Sequence, residues 1–364
     1  MCARRLAFAC AFAGLPCGIW SAIALRYNPF LPETRQLGPL PTLGLWAALC
    51  FTGALYASWQ GYGGRDFAAT LTVFAFFFLV MLLFAARGFA VWLATRVGPG
   101  GGFLLGTAAF LAYLIYSVGT NSFSLGRMAA VAGLVFVPLA LAVSAERRPA
   151  GAWQDYAVLI GVWSAVKPLP NRWGFSMSHW LWPYPGGRLA YAFTVLLALN
   201  VALAAFVLVR RMNGIGYSIG WGRRWGFFVV GSFAVFCCIA IPLGEAMHFI
   251  TFSPQWGEWK SLPLTSLAIF FFTAWPEEFL FRGLLQNMLV RSTRSDFGGL
   301  WTASVLFGFS HIANGGFPNW RYVILASIAG FFYGWTWRKT GSIFASAIVH
   351  ALVDVLWHFL FRTG

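Results

Sequence analysis

Residues 67–86 read FAATLTVFAFFFLVMLLFAA, a run without a single charge, bracketed by Arg65-Asp66 and Arg87. A helix of that length is about 30 Å long, which is the thickness of a bilayer's hydrocarbon core. Apolar on every face, it has no side to offer water, so the stretch predicts a membrane span. Comparable runs recur along the chain. Spans are expected at 6–25, 39–59, 67–86, 102–119, 125–144, 189–209, 225–249, 264–290, 297–313, 320–337 and 341–361. The run 156–166 is shorter and ends in Lys167-Pro168, which suits an interfacial or re-entrant helix. The expected architecture is an all-α, polytopic transmembrane helix bundle with about 11 spans.

Composition points the same way. Of 364 residues, 59% are hydrophobic, 19% aromatic and 10% charged. Soluble domains carry about 25% charged residues, so there is too little polar surface here for a water-soluble body. A soluble enzyme, a secreted disulfide scaffold and a disordered chain are excluded. The six cysteines form no CxxC pair and read as small apolar residues. The apolar run behind Arg4-Arg5 reads as an uncleaved first helix rather than a signal peptide.

The formal net charge is +15. The basic residues are scattered through short loops, as at Arg147-Arg148, Arg210-Arg211, Arg223-Arg224 and Arg338-Lys339. That distribution fits the positive-inside bias and anionic headgroups, and no nucleic-acid partner is expected. In the second half, basic clusters follow alternate spans, which places them in the cytoplasm and the C-terminus outside. The loop 167–188, rich in Pro, Gly and Trp, suits the membrane–water boundary. A boundary between two modules, 1–224 and 225–364, is expected near the loop 210–224.

Acids inside spans are costly and therefore informative. Six of the ten sit in loops or at span edges, and Glu245 lies near a span end. Glu277, Glu278 and Asp354 fall within spans, together with His311 and His350. Glu278 and Arg282 stand four apart on one helical face and can neutralise each other, a pairing that would staple helices. Glu277 is rotated by about 100° and shares its face with Phe281. Pro276 suits the start of a helical segment. His350 and Asp354, also four apart, match a histidine and an orienting acid. Counted from the basic loops, Glu277, His311, His350 and Asp354 all fall roughly 16–22 Å deep. Three helices thus deliver polar groups to one layer, as a water-activating site requires.

These residues carry a resemblance. EEFLFRGLLQN (277–287), Phe307 with His311, and GSIFASAIVHALVD (341–354) resemble the three motifs of the CAAX-protease and bacteriocin-processing family. That family is also called Abi or type II CAAX prenyl endopeptidase-like. The resemblance covers residues 264–361 and implies an intramembrane endopeptidase. It implies Glu277 as the base that activates water, helped by His311, with His350 and Asp354 stabilising the oxyanion. It implies Glu278 and Arg282 as a pair that holds the first helix in register. Asp354 departs from the asparagine of many members, and an ionised aspartate donates no hydrogen bond. A metal-free mechanism is expected. The alternative is a divalent ion such as zinc on Glu277, His311 and His350. The implied partners are the bilayer and a peptide or protein with a membrane-anchoring tail. Two other readings remain: an inactive immunity or scaffold relative, and a proton-coupled transporter. The transporter reading would call for two matching halves with broken helices, and the sequence holds no such repeat.

Overall fold

The structure, a computed structural model, describes residues 34–98, 100–166 and 176–363. The expected first span at 6–25 and the loop residues 167–175 lie outside the described residues. The first half contains strand β1 (Thr34–Gln36) and helices α1 (Pro39–Trp59), α2 (Gly64–Ala85), α3 (Phe89–Val97), α4 (Gly100–Gly119) and α5 (Leu125–Ser144). There follow α6 (Trp153–Val166), α7 (Met177–Leu181) and α8 (Gly187–Ala202), which runs on through a π-helical stretch, Leu203–Val209.

The second half opens with β2 (Gly220–Gly222) and α9 (Trp225–Ala246), then β3 (Ile250–Phe252). A continuous helix, α10 (262–293), is followed by α11 (Asp296–Phe309), α12 (Trp320–Thr340), α13 (Ile343–Leu360) and β4 (Phe361–Thr363). β1 pairs antiparallel with β2, and β3 with β4, so each short ribbon ties distant segments together.

Among the described residues, eight helical segments are long and apolar enough to cross a membrane. They take in the spans expected at 39–59, 67–86, 102–119, 125–144, 189–209, 225–249, 264–290 and 341–361. The all-α membrane bundle is therefore as expected. The expected spans at 297–313 and 320–337 are not among the eight. The region 297–313 forms a helix of 14 residues, about 21 Å long, that stops at Phe309 and continues as a turn, so its helical part is shorter than the expected span. α12 has 21 residues but ends in Arg338 and Lys339, and it is less apolar. α6, with 14 residues, is short, as the run 156–166 suggested.

α8 is the axis of the first half. Its residues 192–206 are all buried, and α2, α4 and α6 pack around it. Trp182, expected at the membrane boundary, is instead fully buried against Tyr113, Tyr116 and Phe193. In the second half α12 lies against α9, α11 and α13. Small residues permit this approach: a Cβ on Gly308 would stand 2.5 Å from the Val323 carbonyl oxygen, and one on Gly334 would stand 2.5 Å from Leu300 Cδ1 on α11. α10 joins the halves, touching α6 and α8 on one side and α11 and α13 on the other.

Candidate active site

Pro276 lies inside α10 rather than at its start. A proline removes one backbone donor and crowds the preceding turn, which an α-helix tolerates poorly. Here the helix changes pitch around it. π-helical turns at Phe270–Ala274 and Phe279–Gln286 flank the α-helical turn Trp275–Glu278. The two glutamates are thus presented from the α-helical turn between two widened stretches, the kind of irregularity that concentrates at functional sites.

Glu278 is fully buried and is the hub of a network. One carboxylate oxygen, Oε1, accepts from His350 Nδ1 at 2.9 Å. The other, Oε2, lies 3.2 Å from Arg282 Nε and 2.5 Å from Ser346 Oγ. Ser346 Oγ is also 2.8 Å from the Tyr333 carbonyl oxygen, so its single proton is shared between two acceptors. Arg282 donates to the Gly330 carbonyl oxygen at 3.0 Å and sits 4.4 Å from the Phe307 ring centroid. The Glu278–Arg282 pair read from the sequence is therefore present. It does more than staple one helix, because the same carboxylate reaches His350 on α13.

His350 has an acceptor at each nitrogen. Its Nε2 faces Asp354 Oδ2 at 3.5 Å, longer than a normal N–H···O bond, whereas the Glu278 contact is of full strength. Tyr333 stacks on the ring at 4.5 Å and 16°, and Phe307 meets it edge-on at 5.7 Å. The ring is therefore fixed in position by Glu278, Tyr333 and Phe307, and its Nε2 is only loosely held by the half-exposed Asp354.

His311 lies just past the C-terminal end of α11, in a turn leading to Gly315-Gly316. Its Nδ1 is 2.9 Å from the Phe307 carbonyl oxygen and 3.0 Å from Ser310 Oγ. A carbonyl oxygen can only accept, so Nδ1 carries the proton, and a neutral His311 presents its lone pair at Nε2. Phe307 packs against His311 at 4.8 Å and Tyr322 covers the ring at 5.0 Å.

His311, His350 and Asp354 line one cavity of about 300 Å³, with Tyr322, Tyr333 and Trp357. Glu277 does not line it. This side chain, 3% exposed, borders a neighbouring pocket with Tyr191, Trp163 and Pro276. Glu277 adjoins Glu278 in the chain, and Glu278 bonds His350, so the turn that carries Glu277 also reaches a residue of the larger cavity. Among the described residues no group of three or more His, Cys, Asp and Glu side chains is arranged to hold a metal ion. Glu277 borders a different pocket from His311 and His350, so the three named as an alternative metal triad do not line one space here.

Sequence reading missed several participants. Ser346 and Tyr333 carry no signal in a single sequence, because a serine or tyrosine on an apolar helix reads as packing. Asp155 and Arg210 were taken for loop charges. They form a fully buried pair at 2.6 Å, with Asp155 also accepting from the Gly151 and Ala152 amides. Arg210 also reaches the carbonyl oxygens of Ala145, Arg148 and Pro149.

Comparison with known proteins bears on the second half. Residues 259–356 match the family described as type II CAAX prenyl endopeptidase Rce1-like. The uncharacterized protein YpbD of Bacillus subtilis (strain 168) is 32% identical over 83 residues, which cover 23% of this chain and 38% of that relative's length. The chain thus spans well under half of the curated relative it matches. No solved structure matches the chain. Over residues 259–356 the chain is thus similar to the Rce1-like type II CAAX prenyl endopeptidases, within a multi-pass integral membrane protein.

Proposed function

We propose that the protein is an intramembrane endopeptidase that hydrolyses a peptide bond beside a membrane-anchored segment. The observation that carries the reading is the cavity lined by His311, His350 and Asp354, with Glu277 buried beside it. Three motifs, far apart in sequence, supply the polar groups of an otherwise aromatic interior.

Glu277 takes a proton from water as its oxygen attacks the scissile carbonyl carbon, and His311, with its Nε2 lone pair, assists. His350 Nε2–H donates to the oxyanion that forms. Its 3.5 Å contact with Asp354 is weak enough to be exchanged for that stronger, charge-assisted bond. Asp354 then acts by holding the ring before the carbonyl arrives, which an aspartate can do as well as an asparagine. Glu278, Ser346 and Arg282 position His350. The proton on Glu277 passes to the leaving amine as the C–N bond breaks. No step is routed through a metal.

The substrate is a protein with an apolar anchor. An apolar cavity of about 400 Å³ between α6, α10 and α11, bordered by Trp163, Leu280, Phe281 and Ser310, lies against this site and suits such a segment. The test is cleavage of a quenched peptide bearing a single apolar anchoring helix, with the protein reconstituted in vesicles. Cleavage by the wild type and none by Glu277→Gln supports the reading. Equal rates for the two proteins would overturn it.

A further inference from the structure

Helix α6 lies outside the matched residues, and one face of it, Tyr156, Leu159, Ile160 and Trp163, walls the apolar cavity of about 400 Å³. At ~30 Å³ for each water-sized group there is room for about 13 heavy atoms, equivalent to three leucine side chains and far too little for a whole helix. Ile160 is 66% exposed, and Leu306 and Phe309 are 43% exposed, so the cavity is a groove that opens sideways, toward lipid. One end is marked by Tyr156, whose hydroxyl lies 3.1 Å from Ser292 Oγ, next to Arg291 and the basic turn that ends α10. The other end reaches the site. Trp163 and Leu280 line both this groove and the Glu277 pocket. Ser310, on the groove wall, has its hydroxyl 3.0 Å from His311 Nδ1. Phe281 meets Trp163 edge-on at 4.8 Å and Phe307 edge-on at 5.0 Å, and Phe307 lines the histidine cavity.

We propose that α6 is a substrate-binding helix: its apolar face takes one leucine-rich face of the substrate's anchoring helix, which runs from the basic end of the groove and stops at Trp163. The inference rests on the proteolytic reading for what is cut, though not for what is bound. Dimensions favour a helix face. The α6 stripe spans seven residues, or roughly 10 Å, and an incoming helix offers side chains at i, i+4 and i+7 over the same length. Three such side chains fill the groove. Within a bilayer, where lipid is as apolar as leucine, such packing is what drives helices together. Continuity with the site favours a peptide over a lipid chain, because the groove ends on residues shared with the Glu277 pocket. Trp163 halts the anchor there, so the scissile bond falls just beyond it, on the side of Glu277 and His311. The anchor keeps to the side of the basic turn, and the released part of the substrate leaves through the histidine cavity.

The test uses the full-length protein in lipid nanodiscs and a peptide with one leucine-rich anchoring helix. Ile160→p-benzoylphenylalanine places a photoreactive group in the groove. Val230→p-benzoylphenylalanine places one on α9, at a residue 64% exposed and outside the groove. Both are made in the Glu277→Gln protein, which holds the peptide uncut. Crosslinking to the peptide should be several-fold stronger from position 160 than from position 230. Equal crosslinking, or crosslinking from position 160 to phospholipid alone, would overturn the proposal. The second arm is cleavage. Ile160→Trp fills the groove from an exposed position, so the melting temperature should hold while KM for the anchored peptide rises about tenfold. An unchanged KM beside an inactive Glu277→Gln sinks this inference and leaves the protease standing. Full activity of Glu277→Gln sinks the protease instead, and crosslinking alone then decides whether the groove binds the anchor.

Discussion

Glu278 Oε1 lies 2.9 Å from His350 Nδ1, so the second glutamate of the first motif orients the histidine of the third. The two residues sit on α10 and α13, and neither side chain is more than 3% exposed. Adjacent glutamates have thereby separated into two jobs. One faces a water-sized pocket, and the other locks the helices and the imidazole.

That division gives the first prediction. Glu278→Gln leaves the buried Arg282 without its counter-charge, which costs about 3–5 kcal/mol. Folded yield and melting temperature in detergent should fall sharply. Ser346→Ala removes one donor to a charged acceptor and should cost about 1.5–3 kcal/mol. A Glu278→Gln protein as stable as the wild type would show that the network does not carry the stability assigned to it.

Glu277→Gln should behave in the opposite way. Glutamine preserves shape and hydrogen-bonding capacity but removes the base, so the rate should drop about 10²–10⁴-fold while the melting temperature holds. The pair of variants, compared by thermal unfolding and by peptide cleavage, separates a catalytic carboxylate from a positioning one. Reversed phenotypes would exchange the two roles.

Because His350 presents both nitrogens to carboxylates, hydrolysis should survive metal removal. Dialysis against EDTA or 1,10-phenanthroline should leave the cleavage rate unchanged, and elemental analysis of active protein should find no stoichiometric zinc. Loss of activity restored by added zinc would require His350 Nε2 to give up its 3.5 Å contact with Asp354 for the metal.

A fourth expectation concerns packing. Gly308 lets α11 approach α12 so closely that an added Cβ would meet the Val323 carbonyl oxygen at 2.5 Å and Ser327 Oγ at 2.0 Å. The backbone carbonyl cannot rotate aside, so Gly308→Ala should cost about 1–3 kcal/mol and displace the turn that carries His311. Both thermal stability and cleavage should decline. Cleavage at the wild-type rate would show that His311 keeps its place.

The sequence was legible where a signal is long or costly. Twenty-residue apolar runs announce spans because a bilayer demands that length, and the five buried ionisable groups of the motifs stood out because lipid penalises them. What stayed hidden depends on tertiary partners. Nothing local distinguishes Glu278 reaching His350 from Glu278 bonding only to Arg282. The helix at 297–313 read as a full span because Ile312 and Ala313 extend its apolar run. The chain turns there because Gly315, Gly316 and Pro318 follow, and that places His311 in the turn. Asp155 and Arg210 looked like ordinary loop charges 55 residues apart.

The last prediction concerns the side from which substrate enters. Arg291, Arg294, Arg338 and Lys339 cluster at the turns that end α10 and α12, and the positive-inside bias assigns that side to the cytoplasm. α13 starts at that side with Ile343. Its cavity-lining residues are His350, Val353, Asp354, Trp357 and His358, which lead from mid-helix to the far end, where Phe249 also borders the space. The cavity therefore runs from the histidines away from the basic loops. Access should be extracytoplasmic, suited to trimming exported proteins near an anchor, and a prenylated tail presented from the cytoplasm would fit less well. In a background free of native cysteines, Gly315→Cys on intact cells should react with a membrane-impermeant thiol reagent. Ser292→Cys, beside Arg291, should react only after the membrane is opened. Labelling of Ser292→Cys but not Gly315→Cys would invert the protein in the bilayer, and the exported substrate would go with it.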